Sequence, residues 1–179
     1  MAITPPSERI WWKEPVHKVE IIWVIIAFLW GVAMFFTMIW WHGFGQQNMS
    51  NEAYRIQPFQ FAEKVDAMVA AHTVRQEGAF PVVKPPPGSD VYMMGRVYMW
   101  WPMLELEKGQ TYRLHLSSID LQHGFSLQPL NINIQVHPGY ESVMTITPTS
   151  SGEFGIVCNE YCGLGHHTMT GRIYVVERT

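Results

Sequence analysis

Leu104–Ser117 reads LELEKGQTYRLHLS. Leu104 and Leu106 alternate with Glu105 and Glu107 up to Lys108-Gly109, and Tyr112, Leu114 and Leu116 then alternate with Arg113 and His115. A period of two puts one set of side chains on each face of an extended chain, so the stretch predicts two half-buried strands joined by a turn. Comparable runs lie on both sides. Val91–Trp101 is aromatic and apolar, and Asn131–Val136 alternates Ile132, Ile134 and Val136 before His137-Pro138-Gly139. Val143–Ile146, Phe154–Val157 and Gly171–Val176 complete the series. Short strands with turns at roughly 8–12-residue spacing predict an all-β sandwich or barrel over residues 90–179, with no room for the helices of βαβ units. Such a domain buries a modest core, and its loops are where function is expected.

The preceding chain has a different character. Ile21–Trp41, IIWVIIAFLWGVAMFFTMIWW, carries no charge and is long enough as a helix to cross a bilayer core of about 30 Å. Trp11 and Trp12 precede it and Trp40 and Trp41 close it, where amphipathic rings favour the headgroup zone. A signal peptide would have a shorter apolar core and small residues at its end. The expected division is a cytoplasmic segment 1–18, a transmembrane helix 19–42, a linker with a short amphipathic helix over 43–89, and the β domain. Within 43–89, residues 43–57 read as polar linker and Pro58–His72 as the helix, from Phe59, Phe61, Val65, Met68, Val69 and Ala71. Gly78–Ser89, containing VVKPPPGS, reads as a turn-rich connector.

Arg9, Lys13 and Lys18 flank the apolar run on one side, against Arg55 within twenty residues on the other. The positive-inside rule then puts the N-terminus in the cytoplasm and residues 43–179 on the outer side. A net charge of −3 without a basic patch gives no reason to expect a nucleic acid partner. No internal repeat or phosphate-binding glycine loop is present.

The chemistry gathers in Cys158–Met169, CNEYCGLGHHTM, which holds the only two cysteines. Thiolate, imidazole and thioether select copper over calcium or magnesium. A mononuclear blue-copper site uses one cysteine, so two point to thiolates bridging a pair of copper ions, with His166 and Met169 as terminal ligands. A further histidine must come from another loop. His123, in SSIDLQHGFSL, suits better than His115, which alternates within a strand, while His167 cannot easily share an ion with its neighbour. In an oxidising compartment a Cys158–Cys162 disulfide is the competing reading.

Cys158, Glu160, Cys162, Gly163, His166 and Met169, with Asp120 and His123 upstream, match Cys-x-Glu-x-Cys-Gly-x-x-His-x-x-Met and its Asp-x-x-His partner. On these residues the chain resembles subunit II of haem-copper cytochrome c oxidases, and its single apolar helix resembles the compact B-type branch. The resemblance implies a cupredoxin-like Greek-key domain carrying the dinuclear copper centre CuA. Cys158 and Cys162 would bridge, His123 and Met169 would complete one ion, and His166 and the backbone carbonyl of Glu160 the other. It further implies an electron-transfer subunit without a catalytic centre of its own, fed by cytochrome c or a similar soluble carrier. Haems would lie only in a partner subunit I, with small extra subunits, in a prokaryotic inner or plasma membrane. Val97–Pro102, VYMWWP, stands where the family has an aromatic stretch that receives electrons, which makes Trp100 and Trp101 the candidates. A CuA subunit of a nitric oxide reductase and a membrane-tethered copper carrier are the alternative functions.

Overall fold

The computed structural model describes residues 15–45, 51–130 and 132–178. The chain divides into two compact units, Met1–Asn48 and Met49–Thr179. The expectations for Arg9, Trp11, Trp12 and Lys13 fall outside the described residues.

In the first unit, helix α1 runs over Lys18–Phe44, slightly beyond the expected 19–42. It starts where Glu20 reaches back to the His17 amide, at 3.0 Å, and ends with the Gly45 amide bonded to the Trp41 carbonyl. A helix apolar on every side has no preferred face to bury in a soluble core, so its solvent is lipid. Thr37, its polar member, donates its hydroxyl to the Met34 carbonyl at 2.8 Å and leaves no unsatisfied donor there. Among the described residues, one helix is thus fit by length and composition to cross a membrane, near the N-terminus.

The second unit is a two-sheet sandwich. Its strands are β1 (Asn51–Arg55), β2 (Thr73–Glu77), β3 (Phe80–Val83), β4 (Asp90–Arg96), β5 (Met99–Trp101) and β6 (Met103–Glu107). They continue with β7 (Tyr112–Ser118), β8 (His123–Gln128), β9 (Ile132–Val136), β10 (Tyr140–Ile146), β11 (Gly152–Cys158) and β12 (Thr170–Val176). One sheet has the order β1-β10-β7-β4-β5 and the other β2-β3-β6-β12-β11-β8-β9. The alternation in Leu104–Glu107 is realised as predicted, whereas on β7 His115 and Ser117 are buried as well as Leu114 and Leu116, with Tyr92 and Glu141 packed against His115. Leu104, Leu106, Leu114 and Leu116 are buried between the sheets, while Glu105 and Glu107 face outward to Arg75 and Lys84. Helix α2 (Pro58–His72) buries Phe61, Val65 and Met68, spaced as one helical face, and packs on Tyr92 and Met94.

Three local expectations change. Residues 43–57 are not all linker, because Asn51–Arg55 forms β1 and pairs antiparallel with β10, Asn51 opposite Met144 and Arg55 opposite Tyr140. Backbone pairing at a sheet edge needs no apolar alternation, and Glu52 meets Arg113 at 3.1 Å instead. The turn-rich stretch 78–89 contains β3, whose Val82 and Val83 are buried beside β6. The sheets thus begin at Asn51, well before residue 90. Val91–Trp101 folds back on itself, Gly95 pairing with Trp100, so one apolar run becomes the two strands β4 and β5.

Candidate metal centre

β11 and β12 are antiparallel neighbours, with Val157 opposite Thr170. The chain between them is Cys158–Met169, and its ends are tied together by a hydrogen bond from the Cys158 amide to the Met169 carbonyl, 3.1 Å. A short 3-10 turn over His166–Thr168 closes the loop, with His166, Thr168 and Met169 amides bonded back to Gly163, Gly165 and His166 carbonyls. Gly163 has φ of 125°, which a side chain would strain, and its missing Cβ makes room for the Tyr98 hydroxyl. Gly165 lies flat against the Tyr98 ring, where a Cβ would come 2.6 Å from Cε2. β8 brings in the remote histidine. His123 is its first residue, fully buried on a strand where the sequence suggested a loop.

The donor atoms converge. Cys158 and Cys162 sulfurs lie 3.9 Å apart as free cysteines, far beyond the roughly 2.05 Å of a disulfide, which settles that alternative in this structure. His123 Nδ1 is 3.9 Å from the Cys158 sulfur and His166 Nδ1 is 3.7 Å from the Cys162 sulfur. The Glu160 carbonyl oxygen is 3.2 Å from the Cys158 sulfur, and the Met169 sulfur 3.7 Å from that of Cys162. Every residue of the expected ligand set is thus brought to one place. Its members near Cys158 and His123 are spaced so that one ion could touch several at once.

Around this set the protein holds the rings still. Asp120 Oδ1 accepts from His123 Nε2 at 2.8 Å, which leaves Nδ1 as a lone pair aimed at the sulfurs. Asp120 also accepts from the amides of Val97, 2.7 Å, and Leu121, 2.6 Å. Burial pushes the Asp120 carboxyl up, but the bonds from His123, Val97 and Leu121 outweigh it and hold the group below its ordinary value. Burial, followed by the neighbouring Cys158 sulfur, pushes the Cys162 thiol up to about 11. Two buried sulfurs this close cannot both carry charge unless a cation lies against them, so the donor set fits a soft metal.

Several candidates lie elsewhere. His115 bonds Glu141 at 2.5 Å and Asp90 at 3.1 Å on the outer face of its sheet, so it is no ligand. His167 is exposed. Trp100 is wholly buried, its ring centroid 6.0 Å from that of His123 and 5.3 Å from that of Phe125, and no donor protein can touch it. Trp101 is partly exposed but packs on Phe80, with Arg96 over its ring. Tyr98, Gly95 and Gly124 were not singled out from the sequence. Gly95 admits the His123 ring, where a Cβ would come 3.0 Å from Cδ2, and Gly124 admits the backbone of Glu160, 2.9 Å from such a Cβ. A glycine directly after a suspected ligand, as in His123-Gly124, was the available signal for close backbone approach.

No family model matches the chain. Cytochrome c oxidase subunit 2 of Thermus thermophilus is 39% identical over 112 residues, covering 59% of this chain and 83% of that protein. The chain belongs to the cytochrome c oxidase subunit 2 family. A probable cytochrome c oxidase subunit 2 of Streptomyces coelicolor is 37% identical over 76 residues, 42% of this chain and 24% of that much longer protein. Among solved structures, a chain of a heme-copper terminal oxidase dimer superposes with a TM-score of 0.58 at 19% identity, over 89% of this chain and 100% of that one. The fold is cupredoxin-like, a β sandwich preceded by one long apolar helix. As a subunit 2 relative with a sulfur and imidazole cluster at the sandwich end, the chain is an electron-transfer protein of copper type in a respiratory oxidase.

Proposed function

We propose that the chain is the electron-accepting subunit of a terminal oxidase, taking electrons from cytochrome c through a dinuclear CuA centre and passing them to haem in subunit I, where O2 is reduced to water. The observation that carries this is the convergence of two unlinked cysteine sulfurs 3.9 Å apart with an imidazole nitrogen beside each. Two coppers held there would supply a one-electron store with its charge spread over both ions. Cys158, Cys162, His123, Met169, His166 and the Glu160 carbonyl would hold the two ions, the cysteines shared between them, His123 and Met169 serving one, and His166 and the Glu160 carbonyl the other.

The chain's own contribution is to keep that geometry unchanged between oxidation states. Cys158, Cys162, His123 and Met169 are buried, so water does not reorganise around them. The loop is pinned at both ends, and Asp120 fixes the His123 tautomer and ring plane. Within Val97–Pro102, Tyr98 is the aromatic that both reaches the surface and lies on the ligand loop, so it replaces Trp100 and Trp101 as the contact for incoming electrons. Trp100 instead packs against His123 and keeps it dry. Burial also argues against a copper carrier, which must release its ion readily.

In the same reading α1 sits in a prokaryotic inner or plasma membrane against subunit I. Its N-terminal side, rich in Lys and Arg, is cytoplasmic and the β unit lies outside. Copper titration of the purified protein with low-temperature electron paramagnetic resonance tests the centre. Two coppers per chain and a delocalised multiline signal support it, and one copper per chain with an ordinary four-line signal sinks it.

Met169→Leu is expected to keep both coppers and raise the reduction potential. Replacing a weak thioether donor by hydrocarbon disfavours the more highly charged oxidised state without removing a bridging ligand. Spectroelectrochemistry of the variant checks the direction, and loss of copper would show that Met169 is more than a weak axial donor.

A further inference from the structure

Among the proposed ligands the Glu160 carbonyl differs in kind from the rest. A cysteine, histidine or methionine is aimed by its own packed side chain, whereas a backbone carbonyl points wherever its peptide plane points. Glu160 lies between the two cysteines and outside any strand, so no ladder of hydrogen bonds fixes that plane. What does fix it comes from two neighbouring strands. β8 and β9 pair antiparallel with Gly124 opposite Gln135. Glu160 crosses β8 at Gly124, where a Cβ would stand 2.8 Å from the Glu160 Cγ, and the Asn159 amide bonds the Gly124 carbonyl at 3.2 Å. On β9, the Gln135 side-chain amide donates to Glu160 Oε1 at 3.0 Å. The carbonyl oxygen of the same Glu160 lies 3.2 Å from the Cys158 sulfur.

The geometry points to Gln135 as a positioning residue: by holding the far end of the Glu160 side chain on β9, it orients the peptide that turns the Glu160 carbonyl toward the paired sulfurs. The inference rests on the dinuclear reading proposed above and adds a residue that carries no ligand atom. Gln135 is exposed, and β9 contributes none of the proposed ligands. Its effect therefore passes through Glu160. Two anchors act on residue 160, one on the backbone just before it and one at the end of its side chain, and together they set the Cα from which the carbonyl projects. Gly124 is the condition for both, because only a residue without a side chain lets the loop lie close enough to β8 for Glu160 to reach β9. An amide also suits the position chemically. It gives the carboxylate a charge-assisted bond without placing another formal charge beside the centre.

The test uses the full-length chain in three forms: the parent, Gln135→Leu, and the pair Gln135→Glu with Glu160→Gln. Leucine removes the donor, whereas the pair exchanges donor and acceptor and still leaves one carboxylate between the two positions. Hydrogen exchange of the metal-free protein reads the loop without copper. Amides in 159–162 are expected to exchange about fivefold faster in Gln135→Leu, and within about twofold of the parent in the exchanged pair, as befits one hydrogen bond. After loading, transfer of copper to a chelator should follow the same order, and the hyperfine spacing of the resonance spectrum should shift in Gln135→Leu alone. The denaturant midpoint of the metal-free protein should be the same in all three, since Gln135 is exposed on an edge strand. A Gln135→Leu chain that matches the parent in either exchange or copper transfer would overturn the inference. So would an exchanged pair that behaves like Gln135→Leu, because the bond itself would then not matter, and so would a lowered midpoint in Gln135→Leu, which would make the role one of general stability. One copper with a four-line signal in the parent sinks the dinuclear reading and this inference with it, and that result is visible before any variant is compared.

Discussion

Cys162→Ser is expected to abolish the dinuclear centre while the β unit stays folded. Serine offers a hard, largely protonated oxygen in place of a polarisable thiolate, and it cannot bridge two soft ions. The Cys162 sulfur stands within 3.9 Å of Cys158, 3.7 Å of His166 Nδ1 and 3.7 Å of the Met169 sulfur, so its loss removes the common neighbour of three proposed ligands. Cys162 lies in the loop between β11 and β12 and pairs with no strand, so unfolding of the metal-free protein should change by only about 1 kcal/mol. Copper analysis should find at most one ion per chain, and the multiline resonance should vanish. An unchanged multiline spectrum in the variant would remove Cys162 from the bridge.

Gly124→Ala is expected to damage the same centre without touching a ligand. A Cβ at Gly124 would collide with the Asn159 side chain and stand 2.8 Å from Glu160 Cγ and 2.9 Å from the Glu160 amide nitrogen. The second contact is backbone, which cannot swing aside as a flexible side chain can. The Asn159 amide also bonds the Gly124 carbonyl at 3.2 Å, so the loop must lift away from β8 and carry the Glu160 carbonyl with it. Overpacking of this kind costs about 1–3 kcal/mol. Gly155→Ala in β11 is the matched control, for a Cβ there meets nothing within 4 Å. Denaturant unfolding and copper stoichiometry of the two variants should separate clearly, and equal behaviour would show that the close approach of β8 to the loop does not matter.

Leu104, Leu106, Leu114 and Leu116 were legible because alternation is a local property of the chain, set by the two-residue repeat of an extended backbone. Cys158, Cys162, His166 and Met169 were legible for a similar reason, since a twelve-residue loop brings its own ligands within reach. His123 was reachable from residue type and from likeness to a known motif, although its place on β8 was not. The strands β1, β2, β3 and β8 were missed. Asn51–Arg55 pairs through backbone groups that every residue possesses, and its sequence therefore carries little mark of the partner strand β10.

By itself, then, the sequence determined the membrane helix, the β class of the rest and the identity of the soft donors, all of which depend on composition and short spacing. Tertiary structure alone decided that the two sulfurs stand apart and unlinked, that Trp100 is sealed inside against His123, and that Tyr98 lies on the ligand loop. Trp100 and His123 lie 23 residues apart in the chain and Tyr98 lies 65 and 67 residues from Gly163 and Gly165, while the spacing of the two sulfurs follows from how their loop is pinned between β11 and β12. These arrangements depend on which strands pair and in what register, which no local pattern records.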